Sequence, residues 1–326
     1  MRIGVGLWCL QSTATAPRSF TAAYQELLDD ARLAERVGID SLWLSEHHRY
    51  YDGYCPALLP AASAALAVTE RLRVGTGVLL LPLHRPERVS AAAAELTRRS
   101  GGRFELGMGM GYRPTEFDGK DLSIADRLPR MTAGLDDLAA DAPAPLWVGV
   151  TSEPAARRAG RRGLGLLISG AFSAEVVDSL ITAHRQAWVD AGRPGPDGDP
   201  SDHPPPVGLL RNLWLTDGER ERRRALDWVR SSYLVYAGLG WGADDTGVDF
   251  TAAIESSMDE VEASALVGSA EHVADELGRY HDVDLVVCRI AYDQPPRSAI
   301  VEVVERIGTE LVPLVGDPAT AGAVAP

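Results

Sequence analysis

A chain of 326 residues, 45% of them hydrophobic, holds enough apolar material for one large α/β core or two modest ones. A formal net charge of −14 runs against nucleic acid or an anionic membrane as partner, because both are held by clustered Lys and Arg. Cys9, Cys55 and Cys288 lie far apart with no Cys-x-x-Cys pair, which argues against a disulfide framework or a structural zinc site and fits a reducing cytoplasm.

The first apolar run, Met1 to Trp8, stops before Gln11 and is too short for a signal peptide or a membrane span, so neither is expected. Within it Ile3 to Trp8 reads as a strand, and Thr21 to Val37 as a helix with Tyr24, Leu27, Leu28, Ala31 and Ala34 on one stripe, closed by Gly38. Ile39 to Leu44 is a second, buried strand. Pro60 to Thr69 is an Ala-rich helix, and Leu72 to Leu81 a third strand. Pro86 opens the next helix where a missing N–H costs nothing; Ser90 to Arg99 continue it to Gly101-Gly102. Arg103 to Met108 is the fourth strand, Arg127 to Ala139 a helix, and Pro145 to Val150 the fifth strand. Helix Glu153 to Arg162 leads to a sixth strand, Leu164 to Ser169. A long helix, Ala174 to Ala191, passes through Pro194 to Pro206 into a seventh strand, Val207 to Leu215. That Pro/Gly/Asp segment reads as a surface loop, with a domain linker as the rival. Helix Glu219 to Tyr236 precedes a long mixed stretch, Ala237 to Val267, with the character of an active-site lid. Asp284 to Tyr292 is the eighth strand and Ser298 to Val312 the last helix.

Eight short apolar strands alternating with helices predict an eight-stranded parallel β/α (TIM) barrel. The competing doubly wound open sheet would place a Gly-x-Gly-x-x-Gly turn after the first strand, where the chain has Trp8-Cys9-Leu10-Gln11-Ser12. One domain is expected over residues 1–315, followed by a frayed Ala/Gly/Pro-rich tail, 316–326.

In such a barrel the C-terminal ends of all strands share one mouth. Strand two delivers Ser45-Glu46-His47-His48, three ionisable groups where a buried strand ends, which must be paired, solvated or at work. Strand three delivers Gly75 to Val78 and then Pro82 to Arg85; strand four delivers Gly107 to Arg113. Strand five brings Thr151 and Ser152 to a helix N-terminus, a place for an anion or simply an N-cap. Strand six ends at Ser169-Gly170. Gly107, Gly109 and Gly111 admit something planar or phosphorylated to the backbone, or serve close strand packing. A metal on Glu46, His47 and His48 is disfavoured, because alternation turns Glu46 and His48 to one side and His47 to the other, with no further ligand motif. No Gly-x-Ser-x-Gly elbow marks a serine hydrolase.

The blocks Gly38 to His48, Val74 to Val78, Pro86 to Val89 and Gly102 to Gly109, in that order, resemble the bacterial luciferase-like monooxygenase family. The likeness covers about the first 170 residues, then the turn and helix at Val267 to Val273 and the eighth strand. It implies a β/α barrel binding reduced FMN, or in related branches a deazaflavin, at its mouth. It implies catalytic roles for His47, beside Glu46 and His48; a flavin against Gly77 and Val78; and flavin or phosphate contacts from Arg127, Ser152 and Ser169. The chain departs from the family at Met110, where many members have arginine between the glycines, and at Thr151, where an acidic residue is usual. Phosphate binding then leans on Arg127, Ser152 and Arg113, with Gly109, Met110 and Thr151 close by. The stretch Arg127 to Pro145 is also shorter than the family's usual insertion.

The activity implied is a two-component monooxygenase. A separate reductase supplies reduced FMN, dioxygen forms a flavin hydroperoxide, and one oxygen atom passes to a small organic substrate. Trp8, Tyr50, Tyr54 and Trp241 suggest that this substrate is apolar or aromatic. The alternatives are a deazaflavin-dependent hydride-transfer oxidoreductase and a non-catalytic flavin-binding barrel. The resemblance also implies a homodimer.

Overall fold

The computed structural model describes residues 1–10, 17–49, 54–169, 172–193, 204–238, 258–290 and 294–315. Its strands are β1 Arg2–Trp8, β2 Ser41–Leu44, β3 Arg73–Thr76, β4 Leu79–Leu80, β5 Phe104–Gly109, β6 Leu146–Val150, β7 Gly165–Ser169, β8 Val207–Leu215, β9 Ala265–Gly268 and β10 Leu285–Arg289. The principal helices are α1 Phe20–Arg36, α2 Leu58–Ala67, α3 Pro86–Ser100, α4 Pro114–Asp118, α5 Arg127–Asp141, α6 Glu153–Arg162 and α7 Ala174–Asp190. They continue with α8 Glu219–Gly238, α9 Met258–Ser264, α10 Ala270–Leu277, α11 Arg297–Arg306 and, after a π-helical turn at Ile307–Leu311, α12 Val312–Val315.

All the strand pairings are parallel, and the order β10-β1-β2-β3-β5-β6-β7-β8 closes on itself through β10–β8. This is the expected eight-stranded barrel. Its wall differs from the sequence reading in two places. The third strand is not continuous from Leu72 to Leu81: β3 stops at Thr76 and β4 resumes at Leu79, with the cis Gly77–Val78 peptide between them. A further strand, β9, lies outside the closed ring along the C-terminal half of β8, pairing Asn212–Leu215 with Ala265–Gly268. Its first three residues, Ala265 to Val267, close the mixed stretch Ala237 to Val267, where no alternation announced a strand. Of that stretch, 239–257 fall outside the described residues, as do 194–203 and the tail 316–326.

The barrel lumen is filled rather than open. Trp43, Trp147, Leu167, Leu210, Leu285 and Val287 pack inside it, the two indoles edge to face at 6.0 Å. Room for the indoles comes from glycine: a Cβ on Gly75 would stand 2.5 Å from the Trp43 ring. The N-terminal end is plugged by charge, with Glu105 Oε1 accepting from Arg2 at 2.8 Å and Oε2 from the Trp147 Nε1–H at 2.8 Å. A second, larger core lies between strands and helices, each fully buried Leu or Val there contributing on the order of 1.5–3 kcal/mol. With the lumen packed and one end plugged by charge, the C-terminal mouth is where the strand ends converge.

Candidate active site

β2 ends at Leu44, and the Ser45 N–H still reaches the Trp8 carbonyl at 3.1 Å before the chain leaves the sheet. The alternation expected of a strand persists beyond it: Glu46 and His48 turn to one side and His47 to the other. Glu46 is 1% exposed. Its Oε1 accepts from His48 Nε2 and, at 2.7 Å, from His84 Nε2; its Oε2 accepts the Leu80 N–H at 2.7 Å. Burial alone would push this carboxyl up, but the hydrogen bonds and positive charge of His48 and His84 overrule it and bring its pKa down to about 2. Glu46 thus braces β2, β4 and the turn that follows β4.

His47, 5% exposed, faces a different set. Its Nδ1 lies 2.9 Å from Glu116 Oε1, which also accepts the His48 N–H at 2.8 Å. Arg113 stands 3.6 Å from the same carboxylate and donates to the His48 carbonyl at 3.1 Å. Glu116 is placed by the chain leaving β5. Gly111 takes a positive φ of 74°, and Pro114 then opens the one-turn helix α4, folding the carboxylate back over β2. Around the imidazole stand three tyrosine rings: Tyr54 edge to face at 4.7 Å, Tyr112 at 5.7 Å and Tyr236 at 6.1 Å. The Tyr54 and Tyr236 hydroxyls bond each other, and the Arg289 guanidinium lies over the Tyr236 ring at 4.4 Å. Burial raises the Tyr54 phenol well above its ordinary range, with Tyr236 adding to the effect; burial likewise raises the Tyr112 phenol. Both therefore stay protonated as donors.

Three buried polar atoms have no hydrogen-bond partner among the described residues here: Glu116 Oε2, the Tyr112 hydroxyl and Asn212 Oδ1. Asn212 lies two residues beyond Leu210 on β8, so its side chain shares Leu210's inward direction and stands one level nearer the mouth. Unpaired buried polar atoms are costly, and a polar ligand bound beside any of them would complete it.

The other candidate residues follow the arc β3–β5–β6–β7. Gly77 donates its N–H to the Leu44 carbonyl at 2.7 Å, and half-buried Val78 packs against both the lumen and Phe117. Gly109 ends β5 under Val78, whose Cγ2 a Cβ would meet at 2.2 Å, and Gly107 would meet the Thr76 carbonyl at 2.0 Å. These two glycines are thus required by close strand packing, the plainer of their two readings. Met110 packs on the outer core. Arg113, read as a phosphate contact, donates to the His48 carbonyl and stands beside Glu116. Half-buried Arg127 begins α5, and exposed Thr151 follows β6. Ser152 takes the N-cap position of α6 without a side-chain capping hydrogen bond; its carbonyl accepts the Ala155 and Ala156 N–H groups at 3.1 and 3.0 Å, and Pro154 has no N–H to offer. Ser169 closes β7; its side chain, and Gly170, Tyr50 and Trp241 entirely, lie outside the described residues. Trp8 is buried in the outer core against Tyr24, away from the mouth.

Glu116 and His84 are the residues that sequence reasoning missed as members of the site. His84 gives Glu46 and His48 a third metal-type ligand, all three donor atoms lying within 4.8 Å of one another. The spacing argument against a metal had not foreseen that approach. In the structure the Glu46 carboxylate accepts from both imidazoles and from the Leu80 N–H, so hydrogen bonds join the trio. No described helix is long and apolar enough to cross a membrane.

Comparison with known proteins bears on the family and the fold. The chain is 35% identical over 109 residues to the 4-hydroxyprotoasukamycin monooxygenase of Streptomyces nodosus subsp. asukaensis, covering 33% of this chain and 29% of that protein. It is 31% identical over 203 residues to the F420-dependent glucose-6-phosphate dehydrogenase of Beutenbergia cavernae, covering 52% and 60%. In both cases the chain spans less than two thirds of the relative's length. The FMN complex of the oxygenating constituent of 3,6-diketocamphane monooxygenase, a type II Baeyer-Villiger monooxygenase from Pseudomonas putida, superimposes with a TM-score of 0.72 at 18% identity. That match covers 97% of this chain and 98% of the other. The family description "luciferase-like monooxygenase" matches residues 1–136 and 129–284, and with its barrel and its His47 site the chain belongs to that family.

Proposed function

We propose that this protein is the oxygenating component of a two-component monooxygenase, taking reduced FMN from a separate reductase and oxygenating a small apolar or aromatic molecule. The observation that carries the reading is the His47–Glu116 pair, a buried imidazole held by a buried carboxylate and walled by three tyrosines at the barrel mouth.

The residues present fit a flavin. The unpartnered Glu116 Oε2, Tyr112 hydroxyl and Asn212 Oδ1 suit the polar edge of an isoalloxazine, the arc at Gly77 and Val78 offers it a backbone face, and the N-terminal end of α6 beside Ser152, with Arg127, suits its phosphate through the helix dipole. Bound reduced FMN would supply the electrons that activate dioxygen. Glu116 Oε1 already accepts the His48 N–H, so it accepts from His47 as well; Nδ1 carries that proton, and proton exchange at the reacting centre is assigned to Nε2. The tyrosine wall excludes water, and protonated Tyr112 can donate to an oxygen placed before it. Anaerobic titration of the whole protein with reduced FMN tests the reading: stoichiometric binding supports it, and no binding overturns it.

A second reading, a deazaflavin-dependent hydride-transfer oxidoreductase, is favoured by the F420-dependent relative, whose match covers more of this chain than that of the monooxygenase relative. Titration with reduced F420 alongside FMN separates the two.

A further inference from the structure

The body of α8 is held by apolar packing: Ala225, Leu226, Val229 and Tyr233 are buried in the outer core. Ser232 and Tyr236, at i and i+4 on the same helix, meet a side chain that comes from the barrel wall. Arg289 is the last residue of β10, two positions beyond Val287, which packs in the lumen. It therefore shares Val287's inward direction and stands one level nearer the mouth, in register between Gly6 of β1 and Asn212 of β8. From there its guanidinium donates to Ser232 Oγ at 3.3 Å and lies over the Tyr236 ring at 4.4 Å. That same ring is one of the three around His47, at 6.1 Å, and its hydroxyl bonds the Tyr54 hydroxyl. A ring face attracts a cation, and a planar guanidinium can cover the ring while donating sideways to Ser232. A neutral side chain would lose the first of these attractions.

We propose that Arg289 is a positioning residue for the chemistry at His47: it clasps the end of α8 to the end of β10 and so keeps the Tyr236 ring against the imidazole. The inference rests on the reading of the mouth around His47 as the reacting centre. Arg289 acts on the imidazole through the Tyr236 ring. The packing of Leu226, Val229 and Tyr233 does not pass through the clasp, so its loss frees the last turn of α8 and leaves the body of the helix in place. One of the three sides of the tyrosine wall then opens, and water reaches the His47 ring from that side.

The test is the rate at which diethylpyrocarbonate modifies His47 in the full chain without flavin, read by mass spectrometry of the peptide that carries it. Arg289→Met and Arg289→Gln should each raise that rate by about tenfold, the factor that follows from losing a cation–π contact of about 1.4 kcal/mol. Tyr236→Leu should raise it too, and adding Arg289→Met to Tyr236→Leu should change it no further, because the clasp acts through that ring. His184, fully buried on α7, should stay unmodified throughout and so reports an intact barrel; Arg289→Gln carries the test if Arg289→Met does not fold. The proposal is overturned by an unchanged His47 rate in Arg289→Gln, or by a double variant whose increase is the product of the two single ones. Titration with reduced FMN separates this result from the flavin reading. Equal affinity in the parent protein and Arg289→Gln agrees with positioning, whereas affinity lost only in the variant makes Arg289 a flavin contact and overturns it. A parent protein that binds no reduced FMN overturns the flavin reading and leaves the His47 modification rates to decide the clasp.

Discussion

His47 Nδ1 lies 2.9 Å from Glu116 Oε1, joining the end of β2 to the one-turn helix α4. The two residues are 69 positions apart in sequence, and their meeting fixes Nδ1 as the ring nitrogen held by the carboxylate. Replacing Glu116 by Gln keeps the shape and allows the amide to present the wrong partner to Nδ1. Turnover should fall by about 10- to 100-fold, the usual cost of losing such an orienting carboxylate. A thermal melt close to that of the parent protein, measured beside the rate, separates this outcome from unfolding.

Glu46 should report in acid. Its pKa in the folded protein is depressed from 4.5 to about 2, so the stability it contributes is present above its unfolded value and is lost as pH falls through about 2. The shift corresponds to roughly 3 kcal/mol. Denaturant titrations of the parent protein and Glu46→Gln should therefore differ most at pH 6 and converge toward pH 2.

Much of this site was legible in the sequence, and the reason is local. A short apolar strand ending in Glu46-His47-His48 is visible without tertiary information, and so is the β/α alternation that brings strand ends to one mouth. Glu116 was hidden because α4 is too short to show periodicity, and nothing near it in sequence reveals that Gly111 turns the chain back over β2. His84 was seen at the end of strand three, but the break at Gly77–Val78 that brings it to Glu46 was not. β9 was hidden because a four-residue strand at the end of a mixed stretch carries no alternation to count.

Gly107 is fixed by packing against backbone. A Cβ there would stand 2.0 Å from the Thr76 carbonyl oxygen, which is part of the barrel wall and cannot rotate away. Gly107→Ala should cost at least the 1–3 kcal/mol typical of overpacking, read as a lowered melting temperature or loss of soluble folded protein.

Asp30 of α1, 1% exposed, is paired with Arg297 at the start of α11. Burial raises its pKa to about 6 despite that pairing. The stability tied to its neutral form is complete below its unfolded value near 3.8 and is lost as pH rises through about 6. Above that, the carboxylate is charged and depends on Arg297. Arg297→Met should therefore destabilise by roughly 1–3 kcal/mol at pH 8 and by clearly less at pH 5, measured by denaturant unfolding at each pH.

The most direct measurement is rapid mixing of the anaerobic protein–reduced FMN complex with oxygen, following the return of oxidised flavin and the release of hydrogen peroxide. With His47 in place, flavin reoxidation should show a lag and peroxide should appear slowly; in His47→Ala the lag should shorten or vanish. Reoxidation by the parent protein at the rate of free reduced FMN, or an identical time course in His47→Ala, would contradict the role assigned to His47.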